Sequence, residues 1–301
     1  MAAVTVLIPA RNAEQTLAET LQSLVNQTFK DFEVVLVDDA STDRTAEIAQ
    51  SFQSRLEIRI LSPGTHLGAA GAANFGLRVI ESAYIARIDA DDIAMPTRLE
   101  KQVSFLEANP HVDVLGTGME LFSEQSGGEV RLSIKPEDDA SIKTALIQIC
   151  SLSNGSAMFR KSFFYDVGVY DARLVVAEDY DLWCRGALLG KRYANLAEPL
   201  TRYRQHPISI SIQKLQQQRE LDLLVKRKYL TALLDGAPPA HLAEFFSLMT
   251  EFNSREIALR VVQQSTPLLF KLSRKMPNEP LFGTIVIECL GRHLQQRRVQ
   301  I

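Results

Sequence analysis

The chain has 301 residues, with 33 Lys+Arg against 36 Asp+Glu and a formal net charge of −3. That near balance gives no basic excess for nucleic acid, and no stretch approaches the ~18–20 consecutive apolar residues of a membrane span. Cys150, Cys184 and Cys289 lie far apart and make neither a CxxC pair nor an even framework, as in a reduced, cytoplasmic protein without structural zinc.

Hydrophobic residues make up 46%, enough for a large core. Val4 to Pro9 is a short apolar, β-branched run, the pattern of a strand buried on both faces. Leu17, Leu21, Leu24 and Val25 then recur at helical spacing over about 13–28, with Asn12 placed to cap. Phe32 to Val37 predicts a second strand, Thr45 to Phe52 a helix, and Leu56 to Leu61 a third strand. Leu67 to Val79 is rich in glycine and alanine and predicts a helix lying close on the sheet. Tyr84 to Ile88 predicts a fourth strand that runs into Asp89-Ala90-Asp91-Asp92. Strands alternating with helices of this length imply parallel βαβ units. A helix from Leu99 to about Ala108 is followed by weaker signals to Ile149, and a further helix spans Tyr180 to Leu189. Beyond Ser211 the helical spacing of Ile212, Leu215, Leu221, Leu224, Val225 and Tyr229 predicts a C-terminal helical appendage, with more helix at 245–252, 256–262 and 282–296.

Ligands of open α/β sheets bind beyond the carboxyl ends of the strands. Pro9-Ala10-Arg11, Asp38-Asp39 and Asp89-Ala90-Asp91 all fall at such ends. The two carboxylates of the DxD repel unless a cation or protons neutralise them. A hard cation such as Mg²⁺ or Mn²⁺ takes one or two carboxylates and completes its shell with phosphate and water. Glu178-Asp179 supplies carboxylates for general-base work, and a first-turn position would also suit the helix dipole. Arg202 to His206 could face a diphosphate. No GxGxxG follows the first strand, and GxxxxGK[ST], GxSxG and HExxH are missing, which disfavours dinucleotide, P-loop, serine-hydrolase and zincin chemistry.

In order along the chain, VTVLIPARN, VVLVDDASTD, GAANFGL and YIARIDADDIAMPTRLEKQ resemble the motifs of inverting family 2 glycosyltransferases. GSAMFRKSFFYDVGVYD, AEDYDLW and TRYRQHPISIS are similar to that family's acceptor-half motifs. The resemblance covers roughly residues 3–212. It implies a GT-A type, Rossmann-like α/β fold, with a mixed, mostly parallel sheet flanked by helices. Residues 1–211 would be the catalytic domain, with 1–98 the nucleotide-sugar half and 99–211 the acceptor half, and 212–301 would be the helical appendage.

By position, the resemblance places Pro9, Ala10, Arg11 and Asp39 around the nucleobase, with Asp39 hydrogen-bonding it. Asn74, Asp89 and Ala90 join the nucleotide-sugar site, and Asp91 ligates the metal, with His206 near metal or diphosphate. Asp179 becomes the catalytic base beside Glu178, and Trp183 faces the acceptor. Arg11 stands where the family often has an aromatic, and Asn154-Gly155-Ser156 where a His-Pro pair is common.

The activity so implied is inverting transfer from a nucleotide-diphosphate sugar, UDP-sugar favoured, to a saccharide or lipid-linked acceptor, with Mn²⁺ or Mg²⁺ as cofactor. Bacterial polysaccharide, lipopolysaccharide or glycoconjugate synthesis is the expected setting. A nucleotidyltransferase would need a glycine-rich basic loop after the first strand, which PARNAEQT lacks; a non-catalytic nucleotide-sugar sensor would not need every acidic position filled. Lys214, Arg219, Lys226, Arg227 and Lys228 interleave with apolar residues, and Arg292, Arg297 and Arg298 crowd the end. Such helices suit either peripheral contact with anionic lipid or packing within the protein or a homo-oligomer.

Overall fold

The structure, a computed structural model, describes residues 2–123, 130–205 and 215–233. His206, Lys214, Arg292, Arg297, Arg298 and the helices expected beyond residue 233 lie outside the described residues. The first half alternates as its periodicities require: β1 (Val4–Ala10), α1 (Leu17–Val25), β2 (Phe32–Asp38), α2 (Thr45–Ser51), β3 (Ile58–Leu61), α3 (Gly68–Leu77) and β4 (Tyr84–Arg87). After it come β5 (Ile93–Ala94), α4 (Arg98–Ala108), β6 (Val114–Phe122), β7 (Val130–Ser133) and α5 (Asp139–Ala145). A 3₁₀ turn (Asn154–Ser156), β8 (Met158–Arg160), α6 (Lys161–Val167), α7 (Glu178–Leu188), β9 (Tyr193–Arg204) and α8 (Leu215–Leu233) complete it.

One nine-stranded sheet runs through both halves in the order β3-β2-β1-β4-β8-β6-β9-β5, with β7 added to β6. β3, β2, β1 and β4 are parallel, and β8 inserts antiparallel between β4 and β6. Every residue of β4 is buried, as expected for a strand covered on both faces. One apolar cluster lies on each side of the sheet's first half. Val6, Ile8, Val34 and Leu36 pack under α1, while Leu7, Val35 and Val37 pack under α3.

The small residues of α3 are there for contact. A Cβ at Gly76 would stand 2.4 Å from Leu7 Cδ1 and 2.9 Å from Val37 Cγ2, so only glycine lets the helix lie this close. Asn12 does not cap α1. It sits in the left-handed region (φ 48°), and its side-chain oxygen accepts the Thr42 N–H at 2.9 Å, tying the end of β1 to the loop after β2. Asp43 Oδ1 accepts the N–H of Thr45, the first residue of α2, at 3.0 Å, from the turn just ahead of the helix.

α8 is integrated with the core. Val225, Tyr229 and Leu230 are buried in the same apolar cluster as Tyr180, Trp183 and Tyr193. Each such side chain contributes ~1.5–3 kcal/mol by leaving water. The Tyr229 hydroxyl donates to the Lys143 carbonyl at 3.3 Å, Lys226 is buried, and Lys228 lies 3.6 Å from Asp181 on α7. Part of the expected basic face is therefore turned inward. No helix among the described residues is long and apolar enough to cross a membrane.

Candidate active site

The ends of β1, β2, β3 and β4 lie side by side, because these strands are parallel neighbours. At the end of β4 the chain carries a buried arginine into the acidic run. Arg87 Nη2 donates to Asp89 Oδ1 at 2.8 Å, and Nη1 donates to the carbonyls of Leu7 and Ile88 at 3.1 Å each. Arg87 is wholly buried while the Asp89 side chain is 41% exposed, so the arginine anchors a carboxylate at the edge of the crevice. A second buried guanidinium, Arg98 on α4, donates to the Arg87 carbonyl and to Gln102.

The three acidic residues differ in setting. Asp89 and Asp91 are half-buried, and Asp92 is fully buried. Asp92 Oδ1 accepts the Arg204 N–H at 3.1 Å, and Oδ2 has no hydrogen-bond partner. Burial, reinforced by the charges of Asp89 and Asp91, raises the Asp92 carboxyl well above the usual range. Facing them is Gly155, where a Cβ would lie 3.0 Å from Asp92 Oδ2 and 3.1 Å from Asp89 Oδ2. The backbone of the 3₁₀ turn thus forms the wall against which both carboxylates rest.

The opposite wall is the start of α7. Ala177 takes a left-handed conformation (φ 66°), which for a residue with a side chain costs ~1–3 kcal/mol, and the turn sets Glu178 and Asp179 in the first turn of the helix. Asp179 Oδ1 accepts the Tyr180 N–H at 2.7 Å, and Oδ2 lies 3.6 Å from the Cys150 thiol. Burial, and the Asp179 charge beside it, push Glu178 up to about 8. Burial also raises Asp179, against the hydrogen bonds from Tyr180 and Cys150. Asp89 adds to both shifts, so its charge is felt across the crevice by the carboxyls of α7. The first half's acidic run and the second half's Glu-Asp pair both border the stretch from Cys150 to Gly155.

Tyr170 joins these walls. Its hydroxyl donates to Asn154 at 2.8 Å, while its backbone N–H and C=O bond both ends of the Asn74 amide, at 3.0 and 2.8 Å. Asn74, expected in the nucleotide-sugar site, is spent fixing α3 to the loop after α6. Asp39 is likewise engaged: its carboxylate accepts the Leu67 N–H at 2.6 Å, the Gly68 N–H at 2.9 Å and His66 Nδ1 at 2.7 Å. Pro9 is half-buried, Ala10 and Ala90 are buried, and Arg11 is exposed at the end of β1.

Trp183 corrects the expectation that it meets the acceptor. Its side chain is fully buried, stacked on Phe159 with centroids 5.4 Å apart and edge-on to Tyr193 at 6.3 Å. It follows Tyr180 by one helical turn, and both face the core. Arg87, His66 and Tyr170 were not among the residues expected at the site, and Gly155 figured only in the segment standing where a His-Pro pair is common. Only Arg87 had a signal: an arginine inside a strand buried on both faces needs a carboxylate or carbonyls to hold it.

Among the described residues, no group of three or more His, Cys, Asp or Glu is gathered to hold a metal. Such a group is not required for a cation that shares its shell with a diphosphate. Half-buried Asp91 and the hard-oxygen character of the acidic run fit Mg²⁺ or Mn²⁺ of that kind.

Residues 5–168 match the Glycosyl transferase family 2 domain, more than half of the chain. The chain belongs to glycosyl transferase family 2. This family 2 chain is 31% identical to an uncharacterized glycosyltransferase of Haemophilus influenzae, over 77% of its own length and 74% of the relative's. It is 36% identical to the putative glycosyltransferase EpsE of Bacillus subtilis, covering 67% and 73% of the two chains. Its identity to the amylovoran biosynthesis glycosyltransferase AmsE of Erwinia amylovora is 33%, covering 66% and 75%. Among solved structures it resembles S. aureus TarS 1–349 in complex with UDP-GlcNAc, with a TM-score of 0.65 at 21% identity over 91% of this chain and 81% of that one. The mannosyltransferase PcManGT of Pyrobaculum calidifontis, in complex with GDP-Man and Mn²⁺, gives a TM-score of 0.56 at 18% identity, covering 96% and 87%. The mixed sheet flanked by helices is thus the GT-A type of fold.

Proposed function

We propose that this family 2 chain transfers a sugar from a UDP-sugar to an acceptor hydroxyl with inversion, Asp179 serving as base. One observation carries the reading: the Asp89 carboxylate, anchored by Arg87, and the first turn of α7 meet the same stretch of chain, Asp89 resting on Gly155 and Asp179 Oδ2 lying 3.6 Å from the Cys150 thiol. The UDP-GlcNAc complex of TarS supports a UDP-sugar, and AmsE supports a role in polysaccharide synthesis.

The acceptor oxygen forms a bond to the anomeric carbon as the bond to the diphosphate oxygen breaks. The diphosphate leaves with the electron pair, and the acceptor proton passes to Asp179. A raised carboxyl is a stronger base once ionised. Burial and the neighbouring Asp179 push Glu178 up to about 8, which favours its protonated form, while Asp179, also raised by burial but held by the Tyr180 N–H, takes the role of base in this reading. Asp91 would hold the Mn²⁺ or Mg²⁺ with the diphosphate, and His206 is the second candidate ligand. When bound, the cation would neutralise charge developing on the leaving group. Holding donor and acceptor together supplies the other large contribution through orientation.

Thermal unfolding with UDP, GDP, dTDP and CDP, each with and without Mn²⁺, tests the donor site. UDP at 100 times its Kd adds ~2.7 kcal/mol to the stability of a protein that binds it only when folded. Asp179→Asn lowers UDP-sugar turnover by ~10²–10⁴-fold while leaving the UDP-dependent shift in place. Normal turnover by that variant would remove Asp179 as base.

A further inference from the structure

The acidic run from Asp89 to Asp92 joins β4 to β5, and β5 pairs with β9, Ile93 opposite Arg202 and Ala94 opposite Thr201. Asp91, which holds the cation in the reading above, therefore sits on a short connection between two strands. All three carbonyls ahead of Asp92 are engaged. That of Asp89 accepts the Asp92 N–H at 3.2 Å and closes the turn on itself. The other two take donors from far along the chain. The Ala90 carbonyl accepts the Thr16 hydroxyl at 3.0 Å, and the Asp91 carbonyl accepts Arg204 Nε–H at 2.9 Å.

These two carbonyls belong to the peptide planes on either side of Asp91. With each plane tied to a fixed element, the two soft dihedrals of Asp91 are fixed, and so is the direction of its Cβ. Thr16 stands just ahead of α1, and Arg204 ends β9.

Arg204 is itself held at several points. Its backbone N–H donates to Asp92 Oδ1 at 3.1 Å, its Nη2 bonds Glu19 of α1, and its guanidinium lies 4.7 Å from the centre of the Phe122 ring. The side chain is only 6% exposed. Within the run from Arg202 to His206 that was expected to face a diphosphate, this arginine is turned inward and its charge is met by Glu19. A rigid planar fork suits the task of bridging a carbonyl and a carboxylate, which a single ammonium does poorly.

Resting on the donor-site reading, we propose that Arg204, together with Thr16, is a positioning residue for Asp91, setting the direction in which its carboxylate is presented to the cation. Neither side chain touches donor or metal in this arrangement; both act through the backbone of the acidic run.

The test is calorimetric binding of UDP to the full chain, once with Mn²⁺ and once with EDTA, which gives the factor by which the cation tightens binding. Groups that orient a metal ligand are typically worth about 10–100-fold in metal affinity. Arg204→Met keeps the stem beside Phe122 and the backbone N–H to Asp92. It should lower the factor by about tenfold and leave the affinity in EDTA unchanged. Thr16→Val keeps the shape and removes the hydroxyl, and should lower the factor by less. Melting temperatures verify folding, and Thr16→Val carries the comparison if Arg204→Met does not fold. A merely structural role would lower the melting temperature without touching the factor. A factor unchanged in every folded variant, or affinities that fall alike with and without Mn²⁺, would overturn the proposal. A wild type that ignores Mn²⁺, or binds no UDP, would instead remove the cation or the donor site itself, and the role of Arg204 with it.

Discussion

The Arg87 guanidinium lies wholly inside the protein, 2.8 Å from the carboxylate of Asp89 and bonded to the carbonyls of Leu7 and Ile88. This arginine does two things at once: it closes the ends of β1 and β4 and fixes the direction of the first acidic side chain. Arg87→Met keeps the volume and removes every donor. The Ile88 carbonyl loses the guanidinium, the Leu7 carbonyl keeps only the Ile88 N–H at 3.4 Å, and Asp89 loses its counter-charge, discounted because it is part-exposed. We expect a loss of about 2–3 kcal/mol in urea unfolding, with weaker UDP binding by calorimetry. Unchanged UDP affinity would separate Asp89 from the donor.

Gly155 provides a finer perturbation of the same carboxylates. An alanine there would press on Asp92 Oδ2 at 3.0 Å and Asp89 Oδ2 at 3.1 Å. Asp89 has room to yield and buried Asp92 has little. Gly155→Ala should cost ~1–3 kcal/mol by overpacking and lower turnover by roughly tenfold or more through displacement of the acidic run. Steady-state kinetics with a UDP-sugar would measure the second effect. Full activity would show that the wall is not needed in its present place.

Glu178 gives the protein a pH dependence of known sign. Its carboxyl sits near 8 in the folded chain against an ordinary 4.5. Between those values the native state holds a proton that the unfolded chain has released, so stability falls as pH rises through this window. Above about 8 the loss is complete. Glu178→Gln abolishes this group's contribution, and its urea midpoint should gain on the wild type from pH 5 to 8. Parallel midpoints across that range would mean that Glu178 is not protonated in the native state.

Trp183 offers a test of core against acceptor. Truncation to alanine should cost ~3–5 kcal/mol, the range for a large buried aromatic. Trp183→Phe retains stacking on Phe159 and should leave the acceptor KM unchanged. A raised KM at unaltered stability would bring Trp183 back to the acceptor.

The first half of the fold was legible because β1, β2 and β4 are buried on both faces and so read as continuous apolar runs. The second half was not. β8 has only three residues, β5 two, and β9 mixes Asn195, Glu198, Pro199, Thr201 and Arg202 with a shifted register against β6. None of these shows a clean period. At the site, the acidic residues could be placed because strand ends are where such folds bind ligands. Their partners could not. Asp39 meets His66 and Gly68 across a loop with no periodicity, and Asp89 meets Gly155 across a long stretch of chain. Trp183 was recoverable, since its one-turn spacing from Tyr180 points both rings the same way.

The seating of α8 bears on how such chains can be shortened or spliced. The family match ends at residue 168, before α7, β9 and α8 begin. An enzyme trimmed after β9 would keep every carboxylate argued above, yet would bare the furrow that Val225, Tyr229 and Leu230 fill beside Trp183. The stretch that carries the site's carboxylates is therefore shorter than the stretch that completes the core. A chimera that exchanges the second half of the sheet between relatives would need to carry this helix along with it.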